Sequence, residues 1–230
     1  MATLQGRVYG QFSHLINQAL MSTESSDYQF YDSQASHMHR LFMPHVMDLA
    51  GEIRPGMRVL DVGCGNGYTC GQFLAKGCEV TGIDLSLSGI EIARRSHPGA
   101  RFEVMGADNH ILENLGVEAF DLIVSTEVVE HLYAPRPYVN GVFSALKSGG
   151  RFICTTPYHG YLKNLAIALT DGWDKHWDPL WDGGHIKLWS KATIWRLLSE
   201  AGFENMQFRG AGRLPWLWMT MIISVDKPTQ

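Results

Sequence analysis

Val59-Leu-Asp-Val-Gly-Cys-Gly-Asn-Gly67 is followed downstream by Val80-Thr-Gly-Ile-Asp84. The first stretch is an apolar strand that runs into a glycine-rich turn and opens a helix. The second is an apolar strand that ends in a carboxylate. Glycine lets backbone turn tightly and approach a ligand closely. The helix that follows offers free N–H groups and the positive end of its dipole. A carboxylate at the end of the next strand can accept hydrogen bonds from a ribose diol. The pair reads as a nucleoside site at the carboxyl edge of a parallel sheet.

The dinucleotide fingerprint is Gly-x-Gly-x-x-Gly with an acid in the same place. Here Gly63, Gly65 and Gly67 are followed by Tyr68, Thr69, Cys70 and Gly71, so the third-glycine spacing differs. Asp61 also precedes the first glycine. A carboxylate there repels a pyrophosphate and suits a cationic or amino-bearing ligand. The stretch Asp61–Gly67 resembles motif I of the class I S-adenosylmethionine-dependent methyltransferases. That resemblance makes Asp84 the ribose-binding acid. It places the cofactor's carboxylate at the N–H groups of Gly63, Cys64, Gly65, Asn66 and Gly67, and its amino group near Asp61 or the strand-four carbonyls. The adenine amino group would meet Asp108, Leu85 would pack on the ring, and Ala107 and Thr126 complete the set.

Length and charge bound the rest. A chain of 230 residues suits one α/β domain with embellishments, and 45% hydrophobic content is enough for a full core. The net charge is −4 with 19 basic residues and no basic cluster, which argues against nucleic acid as a partner. Cys64, Cys70, Cys78 and Cys154 follow no metal or disulfide pattern and read as reduced, packed thiols. Met1–Gly10 lacks a basic region followed by an apolar run, and no apolar stretch nears the ~20 residues of a membrane span. These features suggest a cytoplasmic protein; they say nothing of oligomeric state.

Residues 1–33 form an N-terminal segment or lid, with a short helix expected over Val8–Leu20. Residues 34–230 form a single domain. Met38, Leu41, Phe42, Val46 and Leu49 recur at helical spacing up to Ala50, and Gly51 and Arg54-Pro-Gly56 stop that helix. Strands are expected at Arg58–Asp61, Glu79–Asp84, Arg101–Met105, Phe120–Ser125 and Arg151–Thr156. Helices lie between them, one capped by Ser86 and another over Val139–Leu146, and Ser148-Gly-Gly150 reads as a turn. This alternation predicts an α/β doubly wound, Rossmann-like parallel sheet. After the helix Lys191–Ala201 two strands follow directly, Phe203–Arg209 and Trp216–Val225, which requires an antiparallel hairpin. The methyltransferase resemblance implies that ending, and seven strands.

A second constellation follows strand four, Ser125-Thr-Glu-Val-Val-Glu-His131. If it begins a helical turn, Glu127, Glu130 and His131 share a face at i, i+3 and i+4. Two carboxylates and an imidazole can hold a divalent metal, Mg, Mn or Zn, with His185 of Asp182-Gly-Gly-His-Ile-Lys-Leu-Trp189 as the fourth ligand. The other reading is metal-free, with Glu127 near the cofactor and His131 or His185 packing or acting as general base. The segment Met38–Pro44, motif I, Asp84, Glu127–His131, Gly184–Lys187 and Ala201-Gly-Phe203 together resemble the ubiquinone-biosynthesis O-methyltransferases. That resemblance covers most of the chain from Phe30 and implies O-methylation of a small aromatic or lipophilic hydroxyl. The Glu-x-x-Glu-His…His set alone is similar to the small-RNA 3′-terminal 2′-O-methyltransferases, which the acidic charge balance opposes. N- or C-methylation of a natural-product scaffold is open, since the cofactor half is common to all.

The stretch 157–190 is an insertion, far longer than the about 2–6 residues usual for such a connection. It carries a short apolar helix, Leu162–Leu169, then Trp173, Trp177 and Trp181, with Pro179 breaking any continuous helix. It reads as a cover for an apolar acceptor, as a peripheral membrane contact through 158–182, or as packing. His159 and His176 also lie there. Trp216 and Trp218 read as core or edge packing.

Overall fold

The computed structural model describes residues 29–108 and 110–229. The helix expected over Val8–Leu20 lies outside them, as do Asn109 and most of the segment 1–33. The elements are α1 (His37–Ala50), β1 (Arg58–Val62), α2 (Tyr68–Leu74), β2 (Glu79–Asp84), α3 (Leu87–Ser96), β3 (Arg101–Val104), α4 (Ile111–Leu115) and β4 (Phe120–Thr126). A 3₁₀ turn (Val129–His131), α5 (Pro135–Ala145), β5 (Leu146–Pro157), α6 (Tyr161–Leu169), α7 (Trp173–His176), α8 (Lys191–Glu200), β6 (Glu204–Ala211) and β7 (Thr220–Asp226) complete the chain.

The seven strands form one sheet in the order β3-β2-β1-β4-β5-β7-β6. β1 to β5 run parallel, and β7 is antiparallel to both β5 and β6. Successive side chains along the central strands point to opposite faces. Val59, Leu122, Val124 and Ile153 join one core with α1, α2 and α3 residues such as Phe42, Phe73 and Ile90. Leu60, Ile123, Phe152 and Cys154 join the other with Val139, Ile194 and Leu198. β4 is therefore covered on both sides, as its unbroken apolar run requires. Each fully buried phenylalanine, Phe73 on one face and Phe152 on the other, stabilises the fold by about 1.5–3 kcal/mol.

The chain turns to the β2–β3 side after β1 and to the β5 side after β4, so the carboxyl ends of β1 and β4 flank the reversal where α/β sheets bind ligands. The helix expected from Val139 begins at Pro135, and two strand boundaries also move. β5 begins at Leu146, not Arg151: Ser148-Gly-Gly150 stays in the strand, with Gly149 at φ 75°. The backbone explains it, because Gly149 N–H donates to the Lys227 carbonyl and Gly150 O accepts from Lys227 N–H. β7 begins at Thr220, not Trp216, because Trp216 sits at φ 62°, outside strand geometry.

Candidate active site

The glycine loop after β1 is pinned to the end of β2. Gly63 and Cys64 N–H both donate to Ile83 O, at 2.8 and 3.0 Å. Asp84 then holds the loop from the next strand: Oδ2 accepts from Gly65 N–H at 2.8 Å and Oδ1 from Ser86 N–H at 2.7 Å. Gly63 must be glycine twice over. It has φ 74°, and a Cβ there would lie 2.3 Å from Val128 Cγ2. Gly67, at φ 81°, opens α2, with its N–H bonded to Cys64 O. Four of the five N–H groups expected to meet a ligand, those of Gly63, Cys64, Gly65 and Gly67, are thus engaged within the fold itself.

The Asn66 side chain braces the loop from the other side. Its Nδ2 donates to Asp32 O at 2.8 Å and Gln34 O at 3.2 Å, while Oδ1 accepts from Tyr68 N–H. The Phe30 ring lies on Gly65 and Gly89, and Phe30 N–H donates to Ser88 Oγ. Residues 30–34 therefore lie across the loop, a contact the sequence showed only as an aromatic residue in a polar segment. Half-exposed Leu85 stands at the β2 edge beside Gly106, and Asp108 Oδ1 accepts from His110 N–H. Thr126 is buried at the end of β4, and Ala107 packs against the core.

Asp61 is fully buried on β1. Cys70 Sγ–H donates to its Oδ2 at 3.2 Å, while its Oδ1 has no partner among the described residues. Burial pushes its carboxyl up to about 7, against the Cys70 bond, with the Asp84 charge adding. All four cysteines are free and buried, as expected. Folded Asp61 keeps its proton to about pH 7, whereas the unfolded group loses it near 3.8. Folding therefore takes up a proton in that window, and stability falls as pH rises through it. Asp61→Asn should melt several degrees above the parent at pH 8, and the gap should close toward pH 4 in paired thermal scans. A gap independent of pH would refute the assignment.

The second half lies beyond β4, where the expected single helical face does not form. Glu127 has φ 54°, and helix geometry begins only at Val129. Its N–H donates to Thr155 O and Oγ1, and its Oε1 accepts from Thr155 Oγ1 at 2.7 Å and Thr220 Oγ1 at 2.9 Å. The left-handed residue thus takes Glu127 off the face of Glu130 and His131, and it does not join their cluster. Burial pushes its carboxyl up.

Glu130, His131 and His185 do come together, with one ligand atom from each within 4.8 Å of the others. Glu130 is fully buried. Thr156 Oγ1 donates to its Oε2 at 2.9 Å, while Oε1 has no hydrogen-bond partner among the described residues and faces His185 Nε2 at 4.0 Å. Burial, and then the Glu127 charge, raise its carboxyl well above the usual range. His131 Nδ1 lies 2.7 Å from Gly183 O and 3.1 Å from Gly184 O. Carbonyls only accept, so Nδ1 carries the proton and Nε2 keeps its lone pair. Burial, helped by nearby His131, His159 and Lys163, lowers His185 to about 4.

The insertion is tied to this turn by its backbone. Ile186 and Lys187 N–H both donate to Glu130 O at 3.0 Å, and Trp189 Nε1 donates to Val129 O. Trp181 packs against both histidines, edgewise to His131 and tilted to His185. His159 is buried on Asn164, and His176 Nδ1 donates to Gly172 O, so neither joins the cluster. Trp218 packs against the core and Trp216 is exposed.

The sequence of residues 34–207 matches the family model described as methyltransferase domain. A ubiquinone biosynthesis O-methyltransferase from Ruegeria pomeroyi is 30% identical over 181 residues, 76% of this chain and 72% of its own. Among solved structures, phosphoethanolamine N-methyltransferase 2 of Haemonchus contortus with S-adenosyl-L-methionine superposes at TM-score 0.58. It is 16% identical, over 81% of this chain and 52% of that one. The [4+2]-cyclase SpnF superposes at TM-score 0.62 and 17% identity, over 98% and 96%. At such identities these two likenesses show the fold alone. With the sequence match, the reversal-point glycine loop and Asp84, the chain belongs to the methyltransferase-domain family as a class I S-adenosylmethionine-dependent methyltransferase.

Proposed function

We propose that the chain transfers the methyl group to a hydroxyl oxygen of a small aromatic or lipophilic acceptor, with a divalent metal held by Glu130, His131 and His185. The observation that carries this reading is the fully buried Glu130 Oε1, without a hydrogen-bond partner among the described residues and facing two imidazoles. An orphaned carboxylate oxygen inside a protein costs about 1–3 kcal/mol or more unless a cation or donor meets it. One oxygen and two nitrogens suit Zn or Mn better than Mg. The name of the Ruegeria pomeroyi relative supports oxygen as the acceptor atom.

Bound there, a divalent ion would lower the acceptor hydroxyl's pKa and orient it. The remaining work falls to the chain. Gly183 and Gly184 carbonyls fix the His131 tautomer, and Thr156 orients Glu130. His185, at about 4, stays neutral near pH 7 and is a ready ligand but a weak proton acceptor. The acceptor oxygen forms its bond to the methyl carbon as the sulfur–carbon bond breaks and its electron pair returns to sulfur; the hydroxyl proton leaves to a base or water. In-line alignment of these atoms supplies much of the rate.

The test is a methyl-transfer screen over catechols, quinol precursors and short RNAs, before and after exhaustive chelation. Full activity without metal removes the metal, and turnover of RNA alone replaces the acceptor class.

The insertion also fits a lipid surface. α6 exposes Tyr161, Leu162, Leu165 and Leu169 along one stripe while Lys163 and Ile167 face inward. Replacing Leu165 and Leu169 together with aspartate should weaken sedimentation with anionic vesicles at least about tenfold, since each leucine contributes roughly 1.5–3 kcal/mol when buried. Equal sedimentation of both proteins would discard this role.

A further inference from the structure

Two glycines distant in sequence make a slot for one aromatic ring. A Cβ at Gly65 would lie 2.5 Å from Phe30 Cζ, and one at Gly89 would lie 2.9 Å from Phe30 Cδ2. A larger residue at either position would strike the ring, so Phe30 fills the space that both glycines leave. Hydrogen bonds clamp the same strap of chain, residues 30–34. Asn66 Nδ2 donates to Asp32 O and Gln34 O, at 2.8 and 3.2 Å. Phe30 N–H donates to Ser88 Oγ at 3.2 Å, and the Ser88 and Ser86 hydroxyls lie 3.1 Å apart, bonded to each other. Ser86 in turn caps α3, its Oγ accepting from Gly89 N–H at 3.2 Å.

Asp84 stands where these contacts meet. Gly65 N–H on Oδ2 and Ser86 N–H on Oδ1 fix its carboxylate. Gly65 lies under the Phe30 ring, and Ser86 is joined through Ser88 to the Phe30 N–H. Both donors that set the carboxylate plane therefore lead back to one residue, Phe30. A carboxylate offers about four acceptor positions, so two are left after these bonds. We propose that Phe30 and Ser88 are positioning residues for the cofactor: the seated strap holds the Asp84 carboxylate and the Gly65 turn in the one orientation that accepts the ribose diol. Without the strap the carboxylate is still present but less fixed, and part of the binding free energy goes into ordering it. The inference rests on Asp84 as the ribose acid and is independent of the acceptor and of any metal.

The experiment uses the purified full chain and two probes, S-adenosylhomocysteine and its 2′-deoxy analogue, each titrated by calorimetry. The parent should favour the 2′-hydroxyl compound at least about tenfold, the size of one charge-assisted hydrogen bond. Phe30→Ala should weaken S-adenosylhomocysteine about tenfold and the deoxy analogue much less, so that the ratio falls toward one. Phe30→Leu, which refills part of the slot, should recover part of the preference. Ser88→Ala keeps the ring seated and the Ser86 cap in place, and should lower the ratio severalfold. Because it leaves the ring untouched, it decides the matter if Phe30→Ala does not fold. A strap that only adds stability would lower the melting temperature of the unliganded variants and leave the ratio at the parent's value, and that result overturns the proposal. A parent ratio near one removes the ribose role of Asp84 and the proposal with it. A large parent ratio that survives both Phe30→Ala and Ser88→Ala removes the proposal alone.

Discussion

Asp84→Ala should abolish measurable binding of S-adenosylmethionine in calorimetry. The carboxylate has two tasks. It accepts from Gly65 and Ser86 N–H, holding the glycine loop against β2, and its remaining acceptor capacity is what the methyltransferase resemblance assigns to the ribose diol. Charge-assisted bonds contribute about 1.5–3 kcal/mol each, so losing two to the ligand weakens binding by a factor on the order of 10²–10⁴. The freed Gly65 loop adds to the loss. Asp84→Asn, which keeps one acceptor oxygen, should fall between. Unchanged affinity of the alanine variant would sink the nucleoside assignment, whatever the reaction.

Glu130→Gln should separate stability from activity. The glutamine keeps the shape and the bond from Thr156 Oγ1 but removes a carboxyl that burial holds far above its usual range. The melting temperature should rise by a few degrees, since about 1 kcal/mol shifts a domain of this size by roughly 2–4 °C. Methyl transfer should drop about a hundredfold or more, with bound metal lost in elemental analysis. S-adenosylmethionine affinity should hold, because Glu130 lies outside the glycine loop. Full activity with unchanged metal content would eliminate the cluster as a metal site.

Much of this was legible in the chain. The alternation of apolar strands with helices predicted the parallel sheet, and two terminal strands without a helix between them predicted the antiparallel β7. Local chemistry gave those answers because both faces of the sheet must be covered. Glu127 shows where that reasoning stopped. Spacing at i, i+3 and i+4 assumes a helix from Glu127 onward, but the hydroxyls of Thr155 and Thr220, distant in sequence, take its side chain and its backbone goes left-handed. The side-chain partners of Asn66 were hidden in the same way: Asp32 and Gln34 precede it by more than thirty residues. His185 was found because the fold class itself brings the loop after strand five beside the loop after strand four, where the structure places it near Glu130 and His131.

The paired hydrogen bonds from Ile186 and Lys187 to the Glu130 carbonyl have a consequence for descent within the family. They tie His185 and the long β5–α8 connection to the turn after β4 as one piece. Remodelling that piece to suit a new acceptor puts the proposed ligand His185 at risk in the same event. Lineages that exchange the stretch 157–190 wholesale should therefore lose the histidine, and those that retain Gly-Gly-His-Ile-Lys can diversify around it only by point substitution.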